Sequence, residues 1–456
     1  MSHYTPYPAY KDSGVEWIGR VPEHWEVKRF KFAISNCRNG IWGDDPTGHD
    51  DTPCVRVADF DRSALRVNQE IPTLRAIPER DRASRLLRPG NLLLEKSGGG
   101  DSQPVGQVVL YDQAVEAVCS NFIARMELVH RADPSFWRYE FAAAYACGLN
   151  RRSVKQTSGI QNLDQEQYLD EMATYPPPAE QSAIAAALDR ETARIDALIA
   201  RKTRFIELLQ EKRQALITHA VTKGFDPSVK MKDSGVAWIG QVPEHWELAQ
   251  LGKLSVSRCD GPFGSGLKSE HYTDSGVRVI RLQNIGWAQF KDSDAAYIAF
   301  DYWQGELGGG HDALPGDVLI AGLGDENNLL GRACVVPDDT GKAMVKADCY
   351  RFRVGPRVVP EYVALTLSAT SRAECGFLAT GATRDRLNLT LASARRIPVP
   401  PVQEQREIVT AIHHSAKRLD ELMAKVECSI TLLKERRSAL ITAAVTGQID
   451  LREEAA

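Results

Sequence analysis

The hydrophobic pattern of the chain is dominated by two long stretches with helical spacing. One begins after Pro177 and the other after Pro400, and they align without a gap over 47 residues. In both, apolar residues recur at steps of three and four, which is typical of a coiled coil. Since proline can open a helix but cannot continue one, each stretch predicts a single helix about 60 Å long. The apolar positions of the predicted seams are Leu188, Ile195, Leu198, Phe205, Leu209 and Leu216 in the first helix, and Ile412, Leu419, Leu422, Val426, Leu433 and Leu440 in the second.

A single helix of this kind cannot bury its own seam. Because the two seams match in length and register, the simplest partner for each helix is the other helix of the same chain. The alternative is that each helix packs only on its neighbouring globular domain. We predict the mutual pairing.

A second repeat marks the start of each half. Residues 11–27 read KDSGVEWIGRVPEHWEV and residues 232–248 read KDSGVAWIGQVPEHWEL, with identity at 14 of 17 positions. The chain is therefore a tandem duplication with a period of about 225 residues. We expect the tryptophans of these head segments to dock each head onto its own half, because a docking segment needs large apolar anchors, rather than to stack on nucleobases. These tryptophans are Trp17, Trp25, Trp238 and Trp246.

A variable domain lies between each head and its long helix. Short strand patterns recur at aligned positions, for example RPGNLLLEK at 88–96 and LPGDVLIAG at 314–322. We predict an α/β domain built on a mixed sheet in each half. A shared framework with divergent loops indicates that one kind of domain recognises two different ligands. The predicted segments are 1–175 (head and first variable domain), 176–226 (first long helix), 227–397 (head and second variable domain) and 398–450 (second long helix).

Composition adds exclusions to this picture. With 456 residues, 43% hydrophobic and 25% charged, the chain is typical of a soluble protein with more than one domain. No apolar run approaches 18 residues and the N-terminus has no signal pattern, so we expect a cytoplasmic protein with no membrane contact. Nine singly placed cysteines are typical of buried thiols in a reducing compartment. A net charge of −4 argues against a protein that simply coats nucleic acid, without excluding local basic surfaces.

No recognisable catalytic pattern is present. The sequence lacks a G-x-x-x-x-G-K-[ST] phosphate loop, an H-E-x-x-H zinc motif, a G-x-S-x-G turn and an H-x-E…C-x-x-C deaminase pattern. Tyr175 precedes three prolines without the asparagine of an N-P-P-[YF] amino-methyltransferase loop. His413 and His414 are adjacent on a helix and point to different faces. We therefore expect no catalytic residue, no metal site and no cofactor in this chain.

Basic and glycine-rich clusters remain as candidate DNA contacts. Lysine and arginine release counterions from phosphates, and Arg, Asn and Gln can hydrogen-bond to guanine and adenine edges. A charged run is more often a solvated surface, and we expect that of about half of them. The glycine-bearing turns before each proline break could instead be structural joints between the variable domain and the long helix. The candidates are Lys28, Arg29, Arg75, Arg80, Arg82, Lys96, Ser97, Gly98, Gln161, Asn162, Gly264, Ser265, Lys268, His271, Asn327, Asn328, Arg384 and Arg386, in runs that also hold Arg85, Arg88, Arg151, Arg152 and Lys155.

The ends of the two long helices carry the most specific motif. They read LLQEKRQALITHAVTKGFD and LLKERRSALITAAVTGQID, and each helix opens with P-P-x(2,3)-E-Q. Together with the heads, these segments resemble the specificity subunit of type I restriction–modification enzymes, and the resemblance covers essentially the whole chain. One departure is Lys223-Gly224 where the second repeat has Gly447-Gln448, a shift of one position.

This resemblance implies a fold and a function. It implies two α/β target recognition domains that each read one half of a split sequence in double-stranded DNA. A pair of long antiparallel coiled-coil helices would separate them and set the unread gap, with pseudo-two-fold symmetry from the internal duplication. It also implies modification subunits docked on the helices, and restriction subunits, with S-adenosylmethionine, ATP and magnesium on these partners.

Two alternatives come from other classes of protein. The chain could be a coiled-coil scaffold whose globular domains bind other proteins, or an enzyme with an unrecognised site. Salt dependence separates the first alternative, because DNA binding weakens steeply with salt and varies with sequence. The second would require loss of methylation after a carboxylate substitution that leaves DNA binding intact.

Overall fold

A computed structural model describes residues 5–100, 102–157, 159–263, 266–325, 327–378 and 386–452. The chain forms two compact units. Unit 1 comprises Met1–Thr203 and Glu427–Ala456, and unit 2 comprises Arg204–Val426. Both long helices run through both units, so each unit contains one part of each helix.

Unit 1 holds the first head and the first variable domain. The sequence VRVADFD at 55–61 has the composition of a strand, but Val57–Asp59 form a 3₁₀ turn. The strands are β1 Tyr10–Asp12, β2 Arg20–Pro22, β3 Glu26–Arg29, β4 Ile34–Asn39, β5 Thr52–Val55, β6 Phe60–Asp61, β7 Arg66–Val67, β8 Leu74–Arg75, β9 Asn91–Glu95, β10 Ser97–Gly98, β11 Val108–Tyr111, β12 Val118–Cys119, β13 Ile123–Leu128, β14 Val154–Thr157, β15 Ile160–Leu163 and β16 Met172–Tyr175. The helices are α1 Glu79–Ala83, α2 Pro134–Ala146, α3 Gln165–Leu169 and the first part of α4 Pro178–Lys223.

The core of unit 1 is a mixed sheet covered by a helix. Six strands lie in the order β4-β13-β9-β11-β7-β6, and β11 runs parallel to β7 and antiparallel to β9. Helix α2 begins at a proline, and the side chain of Asp133 caps it by accepting from the amides of Ser135 and Phe136. Its residues Trp137 and Phe141 are fully buried, in the same apolar cluster as Leu92 and Leu94 of β9 and Val108 and Leu110 of β11.

Unit 2 repeats this arrangement with different peripheral strands. A 3₁₀ turn at Leu282–Asn284 matches the turn at Val57–Asp59. The strands are β17 Met231–Asp233, β18 Gln241–Pro243, β19 Glu247–Gln250, β20 Ser255–Cys259, β21 Tyr272–Thr273, β22 Val277–Ile280, β23 Tyr297–Ile298, β24 Asp312–Ala313, β25 Val318–Ala321, β26 Ala333–Val335, β27 Ala343–Val345, β28 Cys349–Val354 and β29 Arg396–Val399. The helices are α5 Leu251–Leu254, α6 Phe300–Gly305, α7 Pro360–Leu378, α8 Leu389–Ala394 and the first part of α9 Val402–Val445.

The core sheet of unit 2 has the strand order β20-β28-β25-β26, which matches β4-β13-β9-β11 of unit 1. A second sheet of five strands, β21-β23-β22-β27-β24, contains the parallel pair β22 and β27. Helix α7 covers β26 as α2 covers β11. The predicted pair of mixed α/β domains is therefore confirmed.

Each head is locked to the start of a long helix by the same pair of residues. The fully buried Trp25 donates its indole N–H to Glu180 Oε2 at 2.9 Å, and Trp246 donates to Glu404 Oε1 at 3.0 Å. Gln181, the next residue of the P-P-x-E-Q motif, accepts from the amide of Asp133 and donates to the carbonyl of Pro176. Trp25 and Trp246 therefore dock the heads, as the sequence predicts.

The two long helices are antiparallel. In unit 1, Arg437 of α9 forms an ion pair of 3.0 Å with Asp196 of α4. In unit 2, Arg213 of α4 forms one of 3.2 Å with Asp420 of α9. Arg213 lies 17 residues after Asp196, while Asp420 lies 17 residues before Arg437, which is the register of an antiparallel pair.

Part of the predicted seam is wrong. Leu198, Phe205 and Leu422 are exposed, and their neighbours Ile199, Ile206 and Met423 are the half-buried residues. At each of these places the sequence has two adjacent apolar residues, so the choice between a step of three and a step of four is ambiguous from periodicity alone. The remaining nine positions, among them Leu188, are at least partly buried.

Within the described part of the chain, no helix combines the length and apolar character needed to cross a membrane.

Candidate nucleic-acid interface

A short strand pair at the edge of unit 1 brings together two segments that are far apart in sequence. Ser97 pairs with Asn162, and Gly98 pairs with Gln161, in antiparallel register. The Ser97 hydroxyl donates to Asn162 Oδ1 at 2.6 Å, and Lys96 Nζ donates to Asn39 Oδ1 at 2.6 Å. Five of the predicted contact residues, from Lys96 to Gly98 and from Gln161 to Asn162, therefore share one edge.

A polar groove of about 650 Å³ opens beside this edge. Its walls carry the cations of Arg38, Arg85, Lys96 and Lys155. Lys155 donates to Asp164 Oδ2 at 2.7 Å, and this hydrogen bond is the main cause that lowers the pKa of the Asp164 carboxyl below its ordinary value. With four cations against the carboxylates of Asp164 and Glu166, the groove favours an anionic ligand such as a phosphate backbone.

The thiol of Cys37 lines the groove, and the buried amide of Gln161 supports the strand edge beside it. Burial raises the pKa of Cys37 to about 11, so this thiol stays neutral at physiological pH. Gln161 is buried, and its side-chain oxygen accepts from the amide of Val105 at 3.3 Å. Its side chain therefore stabilises the strand pair, while Asn162 is exposed beside it.

Unit 2 builds the same edge from different side chains. Leu323 pairs with Arg386 in an antiparallel bridge, where unit 1 pairs Ser97 with Asn162. The backbone bonds that flank the two edges correspond. Leu387 donates to the carbonyl of Gly322 as Leu163 donates to the carbonyl of Lys96. Arg386 therefore occupies the position that Asn162 occupies in unit 1.

Arg386 is held at the surface by two groups. Its guanidinium donates to Asp348 Oδ1 at 2.9 and 3.1 Å. It also lies 5.6 Å from the ring centre of Phe263. Its side chain is about half exposed, so the guanidinium is both oriented and accessible.

The loop after β25 has an internal support. Asp325 Oδ1 accepts from the backbone amides of Asn327 and Asn328 at 2.8 Å each, and from the side-chain amide of Asn328 at 3.0 Å. These bonds, with that of the Asn328 side chain first, lower the pKa of Asp325 below its ordinary value. Asn327 is exposed, and Asn328 is engaged in the turn.

Lys28 and Arg29 lie apart from the groove. Both are on β3, which pairs with β16 beside the proline break. Lys28 pairs with Glu26, and Arg29 lies 3.8 Å from Asp170.

The arginine run of unit 1 is largely occupied by internal contacts. Arg75 donates to Asp45 at 2.7 Å and to the carbonyls of Trp42 and Gly43, and its side chain is only 12% exposed. Arg82 pairs with Asp50 at 3.0 Å. Arg80 is exposed on α1.

Two further candidates of unit 2 belong to a separate turn, and three are not described. The backbone amide of Lys268 donates to His271 Nδ1 at 3.1 Å, and the His271 ring lies 4.3 Å from the ring of Tyr302. Gly264, Ser265 and Arg384 lie outside the described residues.

Sequence reasoning missed Arg38 and Asn39. They end β4 on the groove side, next to Lys96. The available signal was their place at the end of a strand, immediately before Gly40. Arg85 and Lys155 also line the groove, although the sequence singled them out only as members of basic runs and not as individual candidates.

The side chains at both strand edges can form hydrogen bonds and ion pairs with a ligand. Among the described residues, no group of three or more His, Cys, Asp and Glu side chains is placed to hold a metal ion. Amides, guanidinium groups and ammonium groups at a rigid strand edge can donate to phosphates and to base edges.

Comparison with known proteins gives relatives along the whole chain. No family model matches. The chain is 22% identical over 437 residues to a putative type I restriction enzyme MjaX specificity subunit of Methanocaldococcus jannaschii. The aligned region covers 95% of this chain and 96% of that protein. It is 20% identical over 378 residues to the type I restriction enzyme StySPI specificity subunit of Salmonella potsdam, with 80% and 76% covered.

Solved structures show the same fold. One chain, from work on complex assembly and conformational transition of the type I restriction–modification system, superposes with a TM-score of 0.69 at 16% identity and covers 93% of this chain and 98% of its own. The HsdS subunit of Thermoanaerobacter tengcongensis superposes with a TM-score of 0.52 at 15% identity, with 94% and 98% covered. The resemblance that the sequence motifs indicate is therefore confirmed: this chain is related, along nearly its whole length, to the specificity subunits of type I restriction enzymes.

Proposed function

We propose that this chain is the sequence-specific DNA-recognition subunit of a type I restriction–modification complex. It reads a bipartite target in double-stranded DNA and directs the methylation and cleavage that partner subunits carry out, without catalysis of its own. One observation carries the proposal beyond the comparisons. The same strand-edge frame occurs in both units with different side chains, Ser97 and Asn162 in one and Leu323 and Arg386 in the other.

The difference between the two edges supports an asymmetric target. Asparagine recognises adenine through N6 and N7, and arginine recognises guanine through O6 and N7. Asn162 and Arg386 hold equivalent positions, so the two half-sites differ in the base read there. The groove cations of unit 1 serve phosphate contacts, which position the domain without reading sequence.

The remaining parts of the chain take supporting roles in this proposal. Segments 1–175 and 227–397 contain the two recognition domains. Segments 176–226 and 398–450 form the paired helices that set the unread gap and bind modification subunits. S-adenosylmethionine, ATP and magnesium belong to the modification and restriction subunits, and the complex acts in the cytoplasm.

The decisive experiment is methylation-site sequencing of DNA from cells that express this chain with its modification subunit. The expected result is a split motif with two short specific halves around a fixed gap. A continuous motif would contradict the two-domain reading. Absence of new methylation from an assembled complex would favour the scaffold alternative.

Point variants assign each half of the motif to one unit. Asn162→Ala is expected to relax one base of the first half, and Arg386→Ala one base of the second, each at a cost of about 1–3 kcal/mol. Arg357→Ala is the matched control for Arg386→Ala, because Arg357 is an exposed arginine of unit 2 that pairs with Glu247. A variant that alters both halves would contradict modular reading.

A further inference from the structure

An exposed tryptophan stands at a fixed place in unit 1. Trp42 is 39% exposed and follows β4 by three residues. A side chain at Gly40 would overlap the carbonyl oxygens of Cys119 and Ser120, so the backbone is pressed against the neighbouring strand just before the tryptophan. The guanidinium of Arg75 lies 4.5 Å from the indole centre and holds it from one side.

Unit 2 has an exposed aromatic residue at the equivalent place. Phe263 is 49% exposed and follows β20 by four residues. A side chain at Gly261 would overlap the backbone of Val345 and Lys346, as at Gly40. Arg386 provides the guanidinium, 5.6 Å from the ring centre.

Single exposed aromatic residues are common on protein surfaces and need no explanation. Trp42 and Phe263 differ from such residues in two ways. Each follows a glycine at a position where no side chain would fit, and each has an arginine guanidinium packed on its ring. The aromatic ring and the preceding glycine recur at equivalent places, whereas the arginines on the rings come from different elements, Arg75 from β8 and Arg386 from the strand edge.

Both rings lie beside the candidate DNA-reading edges. Trp42 shares the wall of a cavity of about 410 Å³ with Phe122, whose carbonyl accepts from the amides of Lys96 and Ser97. Phe263 contacts Arg386 itself. An apolar ring next to a base-reading edge can enter a base step and stack on the base that it displaces.

We propose that Trp42 and Phe263 are equivalent DNA wedges, each of which unstacks one base step in the half-site read by its own unit. This inference rests on the proposed function. Each unit then recognises DNA in two ways. Its strand edge forms hydrogen bonds to base edges, and its wedge favours a base step with a low free-energy cost of unstacking, which is lowest at pyrimidine–purine steps.

The test uses the complex of this chain with its modification subunit and a duplex that carries the split motif found by methylation sequencing. 2-Aminopurine replaces one base at a time in each half-site. The unmodified complex is expected to raise its fluorescence at one step per half-site, because unstacking relieves quenching. Trp42→Ala removes the signal in one half-site and Phe263→Ala in the other, each with a loss of affinity of about 5- to 150-fold.

Conservative and matched variants separate a wedge from an effect on folding. Trp42→Phe, which copies the ring of unit 2, is expected to keep most of the affinity and the signal, whereas Trp42→Leu loses the stacking. Phe32→Ala and Phe300→Ala remove other exposed rings, each near a lysine, and are expected to leave both readouts unchanged.

The possible failures are distinguishable. If the unmodified complex binds the duplex without sequence preference, the proposed function fails. If it binds specifically but shows no unstacked step, or if Trp42→Ala and Phe263→Ala bind as tightly as the unmodified chain, the wedge is overturned and the proposed function stands.

Discussion

Glu140 is a fully buried carboxyl group in the core of unit 1. Its Oε1 accepts from the amide of Thr174 at 2.7 Å and lies 3.2 Å from the Thr174 hydroxyl. That hydroxyl donates to the carbonyl of Val445 at 2.6 Å, so it serves Glu140 best as an acceptor. Burial raises the pKa of Glu140 to about 8, and the protonated acid can then donate to Thr174.

The raised pKa of Glu140 predicts a pH-dependent stability. Between the ordinary value of 4.5 and about 8, the folded state binds more protons than the unfolded state, so this group makes stability fall as pH rises. The slope is at most about 1.4 kcal/mol per pH unit. Glu140→Gln, which keeps the donor, is expected to remove this slope. Urea unfolding of both proteins across that pH range measures it.

Glu166→Gln is the matched control for this change, because Glu166 is an exposed residue of the same unit. A free-energy difference between Glu140→Gln and the unmodified protein that stays constant with pH would show that Glu140 is not the titrating group.

A second residue-scale prediction concerns the buried ion pair of unit 2. Arg395 is 0% exposed and donates to Glu374 Oε2 at 2.6 Å and to the carbonyls of Gly331 and Leu367. Arg395→Met leaves the carboxylate buried without its cation and is expected to cost about 3–5 kcal/mol in denaturant unfolding. The exposed pair of Arg357 and Glu247 provides the control, since Arg357→Met should cost less than about 1 kcal/mol.

The double variant Arg395→Met with Glu374→Leu tests the cause. Because no unpaired charge remains, it is expected to recover much of the lost stability. A double variant no more stable than Arg395→Met alone would mean that the hydrogen bonds to Gly331 and Leu367, which both variants lack, account for most of the lost stability.

At the scale of elements, substitutions in the first long helix can show which apolar residues form the seam. Leu188 is fully buried in unit 1, whereas Leu198 on the same helix is 42% exposed. The same chemical change at the two positions should therefore differ in cost. Leu188→Ala is expected to destabilise by about 2–5 kcal/mol and Leu198→Ala by no more than about 0.5 kcal/mol. Equal shifts of the urea midpoint would contradict a seam that includes Leu188 and excludes Leu198.

The elements show which parts of the fold follow from sequence pattern and which do not. The long helices and the docking role of the head tryptophans were predictable, because the apolar periodicity and the repeated head segments are visible in the sequence. The partners of Trp25 and Trp246, Glu180 and Glu404, lie 155 and 158 residues away and were not predictable. The choice between Leu198 and Ile199 was not predictable either, because both are apolar and only the partner helix decides. The 3₁₀ turns at Val57–Asp59 and Leu282–Asn284 were masked by strand-like composition.

The sequence shows which residues are polar or basic, but not which of them the fold brings together. Lys96 to Gly98 and Gln161 to Asn162 stand out as polar residues beside glycines, yet their pairing spans 65 residues between Ser97 and Asn162. Arg75 looked like a phosphate contact because charge alone is visible in a sequence. Its carboxylate and carbonyl partners come from a loop about 30 residues earlier.

At the scale of the whole molecule, the duplication makes two equivalent junctions between a helix end and a head. Gly224 directly follows α4 and packs on Trp246, and Gly447 follows α9 by two residues and packs on Pro22 and Trp25. Both glycines have a φ of +72°. The one-position shift between the repeats therefore leaves the left-handed helix end intact in both.

The two junctions differ in how the chain connects the helix end to the head. In unit 2 the residues after Gly224 lead directly into the head at Met231. In unit 1 the connection is non-covalent. The amide of Asp450 donates to the carbonyl of Thr5 at 2.9 Å, and Gln448 donates to carbonyl groups of the head, including that of Arg20.

This equivalence predicts that the chain tolerates circular permutation. A variant with Arg452 joined to Thr5 by a short glycine–serine linker, and opened after Pro227, exchanges the covalent and non-covalent junctions while it keeps the contacts of Trp25 with Glu180 and of Trp246 with Glu404. It is expected to fold, to assemble with the modification subunit and to methylate the same split motif. Opening the chain after Trp238 instead interrupts the head next to the buried Ile239 and is expected to abolish assembly. If the first variant lost activity while the second kept it, the two junctions would not be equivalent, and the covalent link at Gly224 would have a role of its own.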